Sequence, residues 1–425
     1  MSAMPMSKVH RFHPANPLKP KPYISYGVSF HQACAHHVEA FGSSRVYVVV
    51  SKSISATPAF ESLKSSLGTT KIAGIRCGIA PHTPWEDVFE LARDIESTEA
   101  DLIITVGGSS ITDAVKLARL FIPNGVSTQE DVENLFKRIK DDEHVKAATI
   151  PVINVPTTLS GSEFTSAGGA TNMRAGHKKR VTMHPSMYAD VVVLDPKLSV
   201  TTPARFWLST GIRAVDHFIE GMYGNVAELF AAMRKELGNE LDEEELLRDI
   251  TGALRSLLAN LLRTRDDWTD ENARLQTFLA VKECPRAGHN GIGASHGIGH
   301  QLGPLGVGHG ETSCIILPWV LRHNWRHGDD KLRSRLGLAM DAFWEEESVA
   351  EVLRAAGLSR QDADLGDVLG AYINALGLPR NLGLFNIGQG QFEKLATNAM
   401  TDRCTLLNPV KLDKEAVIEI LGKAA

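Results

Sequence analysis

"DLIITVGGSSITDAVKLA", residues 101–118, is the stretch that decides the fold. Leu102 to Val106 form an apolar, β-branched run with no polar alternation, the mark of a strand buried on both faces in a parallel sheet. Gly107 and Gly108 break the run, and the residues from Ser110 to Ile122 carry apolar positions at helical spacing. The unit is therefore strand, Gly-Gly-Ser-Ser turn, helix. The glycines let a backbone approach a ligand closely. Ser109 and Ser110 offer hydroxyls and are expected to cap the helix, whose N-terminus presents free N–H groups and a positive dipole end. A pyrophosphate fits such a turn. The strict GxGxxG and GxxxxGK[ST] patterns are both absent, so the turn taken alone reads equally as a plain βα connection.

Outward from this unit the same rhythm repeats. Strands are expected at 44–51, 70–79, 149–158 and 189–196, and helices at 57–68, 84–98 and 110–122. This alternation predicts a Rossmann-like parallel sheet covered by helices over residues 1–200. The composition shifts near "DPKLSVTTP" (195–203), and from 201 to 425 long helical patterns take over. Those patterns run over 203–223, 241–263, 271–282, 312–324, 330–341, 346–356, 363–376, 389–398 and 413–424, so the second domain reads as all-α. The acidic, Leu-spaced stretch 226–245 reads as helix, loop, helix, and the Lys/Pro-rich stretch 16–22 as a flexible or extended arm.

Composition narrows the partners. The chain has 425 residues, 43% hydrophobic and 22% charged, with a net charge of −5. That balance is the wrong sign for a nucleic-acid binder. No run of about 18 apolar residues exists to cross a membrane, and the N-terminus has no apolar core of a secretory signal. Five scattered cysteines without CxxC spacing read as free thiols in a reducing compartment. The expectation is a cytoplasmic protein acting on a small molecule.

Two further stretches carry chemistry in the first half. "PTTLSGSE" (156–163) is a second hydroxyl-rich turn after a strand, and Thr157, Thr158 and Ser162 can hydrogen-bond phosphate or ribose. The first strand ends "VVVSKS", placing Ser51 and Lys52 where NAD sites often carry an acid for the ribose. Without that acid a 2′-phosphate is not repelled, so NADPH is expected as readily as NADH.

In the second half, "GIGASHGIGHQLGPLGVGHGETSCIILP" (291–318) holds His296, His300 and His309 among glycines. His296 and His300 share a helical face, and "GIRAVDHFIE" (211–220) places Arg213 one turn before His217. Four histidines clustered with glycines read as lining one cleft.

The chain resembles the iron-containing, group III alcohol dehydrogenases, and within them the maleylacetate reductase branch. The similarity runs over nearly the whole chain. "GGSSITDAVK" is similar to the family's GGGSxxDxxK, "PTTLSGSE" to the PTTxxGSE of maleylacetate reductases, and "HGETSC" to their HxET. The resemblance implies a dehydroquinate synthase-like fold and a homodimer. It implies that Gly107, Gly108, Ser109 and Asp113 border the cofactor phosphates and nicotinamide, and that Thr157, Thr158 and Lys179 contact the cofactor. His217, His296 and His309 match three of the family's four metal ligands, and His300 matches a histidine beside the hydride-transfer site. The fourth ligand is the Asp of GxDAxxHxxE, and Arg213 stands in its place.

A guanidinium in that place opposes a metal ion. The first expectation is thus a metal-independent, NAD(P)H-dependent reductase of a ketone or keto/enol acid, whose substrate bears a carbonyl or carboxylate. Arg213 supplies positive charge, and a protonated His300 or His217 gives the proton. Asp216 is expected about 100° round the helix from His217, pointing elsewhere. If Arg213 instead pairs with Asp216 outside the pocket, His217, His296 and His309 remain a usable zinc or iron site. The alternatives are then an iron- or zinc-dependent alcohol dehydrogenase, or a lyase or cyclase on the related dehydroquinate synthase architecture.

Overall fold

The computed structural model describes residues 9–16, 19–80, 83–173, 178–223, 242–288 and 291–425. The chain forms two compact units, Met1–Thr202 and Pro203–Ala425.

Unit 1 is built on a seven-stranded sheet. Its strands are β1 (Arg11–Pro14), β2 (Tyr23–Tyr26), β3 (Val46–Val50), β4 (Ile72–Cys77), β5 (Leu102–Gly107), β6 (Val152–Pro156) and β9 (Val191–Leu194), in the order β1-β2-β9-β6-β5-β3-β4. All neighbours pair in parallel except β1 with β2. The central strands are the ones read from their apolar runs, and every residue of β3, β5, β6 and β9 is buried. One face packs on a core that includes Phe30, Val48, Phe60, Leu63, Ile104 and Val193. From β3 the chain leaves to β4 on one side, then crosses back to β5 on the other. That reversal leaves a crevice at the carboxyl ends of β3 and β5, where parallel sheets bind ligands.

Several elements of unit 1 were not expected. The edge pair β1–β2, helix α1 (Phe30–Phe41), helix α6 (Gln129–Lys140) and an antiparallel ribbon of β7 (Ala167–Asn172) and β8 (Lys178–Met183) carry no strong apolar run or lie outside the periodic stretches. The arm reading of 16–22 needs correction over its described part. Lys19 donates to the Tyr188 hydroxyl at 3.0 Å, and Lys21 pairs with Asp190. The remaining helices, α2 (Lys52–Ser55), α3 (Pro58–Leu67), α4 (Trp85–Ser97), α5 (Ser109–Asn124) and α7 (Pro196–Ser199), connect the strands.

The regular elements of unit 2 are all helices among its described residues. Its axis is helix α8 (Ala204–Gly221), buried over nearly all its length. The Glu243–Asp266, Cys284–Gly288 and His309–His327 helices pack on it. Glycine sets how close they come. A methyl group on Gly310 would lie 2.5 Å from the Ser209 carbonyl oxygen, and one on Gly221 2.6 Å from that of Ala287. The helices Asp330–Trp344, Glu347–Ala355, Leu365–Ala375, Gln389–Ala399 and Lys414–Lys423 follow the expected periodicity to within a few residues, and a further helix, Ala294–Leu302, carries His296 and His300. One end differs: the 309–327 helix starts three residues before the apolar pattern, at His309 itself. Residues 226–241 of the acidic stretch lie outside the described residues, and Asp242 caps the helix that follows. No helix among the described residues is long and apolar enough to cross a membrane.

Candidate functional site

In unit 1 the register brings the predicted turns together. Val50 pairs with Val106 and Gly107 with Pro156, so the ends of β3, β5 and β6 line up. The Ser51 N–H donates to the Val106 carbonyl at 3.0 Å and the Thr157 N–H to that of Gly107 at 3.1 Å. Gly107 has φ 153°, and a methyl group there would meet Ile111 Cδ1 at 2.8 Å and Ser51 Cβ at 3.2 Å. Gly108 would place its methyl 3.4 Å from Thr158. The expected serine cap is absent: Gly108 holds the N-cap position of α5 without a side-chain hydrogen bond, and Ser109 and Ser110 lie in the first turn. A glycine has no oxygen to cap with, so no cap side chain engages the first-turn N–H groups.

Ser51 does cap a helix, accepting from the Ile54 N–H at 3.4 Å, and Lys52 is exposed at its start. Asp113 and Ser162 are joined to each other and to the backbone. Ser162 donates to Asp113, whose second oxygen accepts from the Gly169 N–H at 3.2 Å. Beneath them lies a residue the sequence reading missed, Lys116. It is buried, and its Nζ donates to the Ser162 and Ala167 carbonyls and to the Ser162 and Thr165 hydroxyls. Burial pulls the Lys116 amine down to about 8 and pushes the neighbouring Glu163 carboxyl up to about 7. The KLA spacing after "DAV" gave the signal, since a lysine on a buried helix face needs acceptors. Lys179 stands in β8 opposite Thr171, and the expectation for its side chain lies outside the described residues.

In unit 2 three helices converge on a buried charge cluster. Arg213 is 2% exposed and Asp216 0%. Arg213 Nη1 donates to Ser313 Oγ at 3.0 Å and lies 3.6 Å from Asp216 Oδ2. The Arg213–Asp216 pair thus forms, but inside the protein, not outside a pocket. The expectation that Asp216 points elsewhere is also overturned. Its Oδ2 accepts from Ser295 at 2.8 Å and Ser313 at 2.6 Å, and lies 3.5 Å from His296 Nδ1. One turn on, Glu220 accepts from the Gly293 and Ser295 N–H groups and sits 2.6 Å from His296 Nδ1.

The imidazoles share this environment. The His217 and His296 rings lie 4.8 Å apart, and His217 Nδ1 and His296 Nε2 are buried without a hydrogen-bond partner, as are Arg213 Nε and Asp216 Oδ1. Burial, then the Arg213 cation, holds His217 down at about 3 and His296 far below the ordinary imidazole range. Burial and the Asp216 charge push Glu220 well up. His300 and His309, both half-buried, are close enough to add to the depression of His296. His300 Nδ1 lies 2.9 Å from Asp402 Oδ2. Beside His309, Glu311 accepts from the Gly308 N–H at 3.1 Å and pairs with Arg205. Ser295, Ser313, Glu220 and Asp402 had no assigned role in the sequence reading.

Comparison with known proteins agrees with this organisation. Residues 22–196 match the iron-containing alcohol dehydrogenase family, and residues 244–425 match the C-terminal region of the Fe-containing alcohol dehydrogenase family. The chain is 71% identical to dehydrogenase ALT3 of Alternaria alternata, over 90% of this chain and 100% of that protein. It is 56% identical to dehydrogenase FUM7 of Gibberella moniliformis, over 98% and 99%. Its fold matches the crystal structure of maleylacetate reductase from Rhizobium sp. strain MTP-10005 with a TM-score of 0.69, 21% identity and 98% of both chains covered. The chain is an oxidoreductase that belongs to the iron-containing alcohol dehydrogenase family, near its maleylacetate reductase branch.

Proposed function

We propose that this dehydrogenase reduces a ketone or keto/enol acid with NADPH or NADH and that it does so without a metal ion. The observation that carries the reading is Arg213, a permanent cation buried to 2% exposure and fixed by Ser313 and Asp216.

The donor set meets only part of what the metal that the family implies would need. In its favour, His296 Nδ1 is backed by the Glu220 carboxylate and its Nε2 has no partner, the arrangement of a metal-binding histidine. Against it, Arg213 stands where the family's carboxylate ligand would stand, and its charge bears on both His217 and His296. At about 5 Å and an effective dielectric near 20, an unpaired guanidinium would repel a dication by roughly 7 kcal/mol, and the neighbouring Asp216 carboxylate offsets part of that. Asp216, Glu220 and His296 place ligand atoms within 4.8 Å of one another, but the buried Arg213 cation beside them counts against a divalent ion, and no step is routed through one.

The residues of unit 1 fit a dinucleotide. An uncapped helix start, two glycines and the Thr157–Thr158 turn meet at the switch point of the sheet. We assign the pyrophosphate to Gly107, Gly108 and Ser109, further contacts to Thr157, Thr158 and Lys179, and the ribose or its phosphate to Ser51 and Lys52. Asp113 holds that turn through Ser162, which also accepts from Lys116. The nicotinamide, when bound, supplies the hydride. The protein's part is to stabilise charge on the substrate oxygen and to deliver a proton. Arg213 supplies a fixed positive charge in low-dielectric surroundings; unpaired, at about 6 Å, it would be worth roughly 3 kcal/mol to a developing oxyanion, and its pairing with Asp216 reduces this. His217 is held neutral, so it cannot serve as the acid near pH 7, and that role falls to His300.

The test uses purified protein with NADPH and NADH, a panel of keto acids that includes maleylacetate, metal analysis and a chelator. The expected result is turnover with less than a tenth of an equivalent of zinc or iron and no loss on chelation. Arg213→Asp should lower the metal-free rate and let the protein take up metal. Stoichiometric zinc or iron in the wild-type enzyme, lost together with activity on chelation, overturns the metal-free reading.

A further inference from the structure

The glycines of the second half have a consequence for His300. The Ala294–Leu302 helix passes so close to the Arg403–Leu406 turn that a methyl group on Gly297 would lie 2.1 Å from Thr405 Oγ1 and 2.6 Å from the Thr405 backbone nitrogen. One turn further along that helix, this approach delivers His300 to Asp402. Oδ2 of Asp402 lies 2.9 Å from His300 Nδ1, and Oδ1 accepts from the Cys404 N–H at 2.9 Å and caps the turn. The side chains are 21% and 18% exposed, so the pair is shielded but reachable.

We propose that Asp402 is a positioning residue that fixes the tautomer and ring orientation of His300, so that Nε2 delivers the proton in the reduction. The inference rests on the reductase reading above. A carboxylate accepting from Nδ1–H leaves Nε2 as the nitrogen that exchanges a proton, and it stabilises the imidazolium that precedes transfer. In the step, the Nε2–H bond of the imidazolium breaks as the O–H bond of the product alcohol forms. Hydride from the nicotinamide goes to the carbonyl carbon, so ketone, NAD(P)H and one proton give alcohol and NAD(P)⁺. Asp402 takes no proton. Burial, the largest single influence, would raise its carboxyl, but the hydrogen bond and charge of His300 together with the Cys404 N–H bond outweigh it and hold the group below the ordinary range.

His300 has competitors for this role. His217 and His296 are kept neutral by burial and by Arg213. Burial pushes the Cys404 thiol up, and its Asp402 neighbour adds to this, so it stays protonated and takes no part as a thiolate. His309 opens the next helix, where Glu311 pairs with Arg205.

The decisive variant is Asp402→Asn. Its Oδ1 can still cap the turn, while its amide N–H₂ faces His300 Nδ1 and favours the opposite tautomer. The expected result is a fall in kcat of about 100-fold, with KM for the keto acid and Kd for NADPH changed less than twofold. The ¹⁵N signals of His300 should move from the Nδ1–H to the Nε2–H tautomer. Asp402→Glu should recover part of kcat. An unchanged kcat, a wild-type ring already in the Nε2–H form, or a loss confined to KM overturns the proposal. The tautomer readout needs no substrate. If the wild-type enzyme turns over no ketone, the reductase reading fails while the ¹⁵N signals still decide the Asp402–His300 pair.

Discussion

At the scale of single residues, one substitution reorganises a whole site. A carboxylate four residues before His217 would share a helix face with it and leave the imidazoles free to bind an ion. Arg213 at that position requires compensation, because a buried guanidinium must be paired and hydrogen-bonded. Asp216 provides the counter-charge, and Ser295 and Ser313 fill the lone pairs of its Oδ2. The serines lie 79 and 97 residues from Asp216 in the chain, which is why no spacing rule could find them. Ser313 has two tasks, accepting from Arg213 and donating to Asp216. Ser313→Ala should therefore leave one buried charge short of an acceptor and the other short of a donor, at a cost of about 2–3 kcal/mol. Chemical denaturation of wild type and variant checks this. A loss under about 0.5 kcal/mol would mean that the two charges satisfy each other directly. Ser295→Ala, which removes only a donor to Asp216, should cost less.

At the scale of elements, helix α5 serves two purposes at once. Its first turn presents N–H groups at the sheet crevice, and its second and third turns bury Lys116 under the Ser162–Phe164 turn. The four oxygens around Lys116 Nζ tie that turn to the helix, so the two cofactor stretches read from the sequence move as one piece. Glu163 lies in the same turn, fully buried, with Oε1 unpartnered, and among Lys116 and Asp113 as its charged neighbours. Its carboxyl is raised to about 7 from an ordinary 4.5. A raised carboxyl means that the folded protein holds a proton that the unfolded chain has released between pH 4.5 and 7. Stability from this group is thus fully present below pH 4.5 and falls as pH rises to 7, by about 3 kcal/mol in all. The Lys116 shift acts only above about pH 8, outside this window. Urea denaturation of wild type and Glu163→Gln between pH 5 and 7.5 should show a declining stability in the first and a flatter profile in the second. Parallel profiles would show that Glu163 is ionised throughout.

At the scale of the whole molecule, what was legible in the sequence is what repeats along the chain, and what was hidden is what closes through space. Val46–Val50, Leu102–Gly107 and Val191–Leu194 are buried on both faces, so their apolar runs announced a parallel sheet. The ribbon of "AGGATN" and "KKRVTM" pairs glycine-rich with cationic sequence, and β1 is mostly exposed, so neither carried a hydrophobic pattern. In the site, Arg213, His217, His296, His300 and His309 stood out by spacing and residue type. Their partners Glu220, Ser295, Ser313 and Asp402 became visible only when the helices were packed. The cysteines offer a global check on that packing. All five are free thiols, with Cys34, Cys284 and Cys314 buried, Cys404 between, and Cys77 exposed at the end of β4. Burial raises the Cys34 and Cys314 thiols far above their ordinary range, and thiolate is the reactive form. Native protein treated with iodoacetamide should therefore be modified at Cys77 first, with Cys404 slower and the three buried thiols reacting only on unfolding. Peptide mass spectrometry over a time course reads the order. Reductant should not shift the thermal transition, since no disulfide contributes to it. Early modification of Cys284, whose thiol faces the Ala214 carbonyl of α8, or of Cys314, next to Ser313 in the 309–327 helix, would mean that the buried charge cluster opens to solvent in the native state, and an Arg213 that is hydrated part of the time would lose the low-dielectric surroundings its role needs.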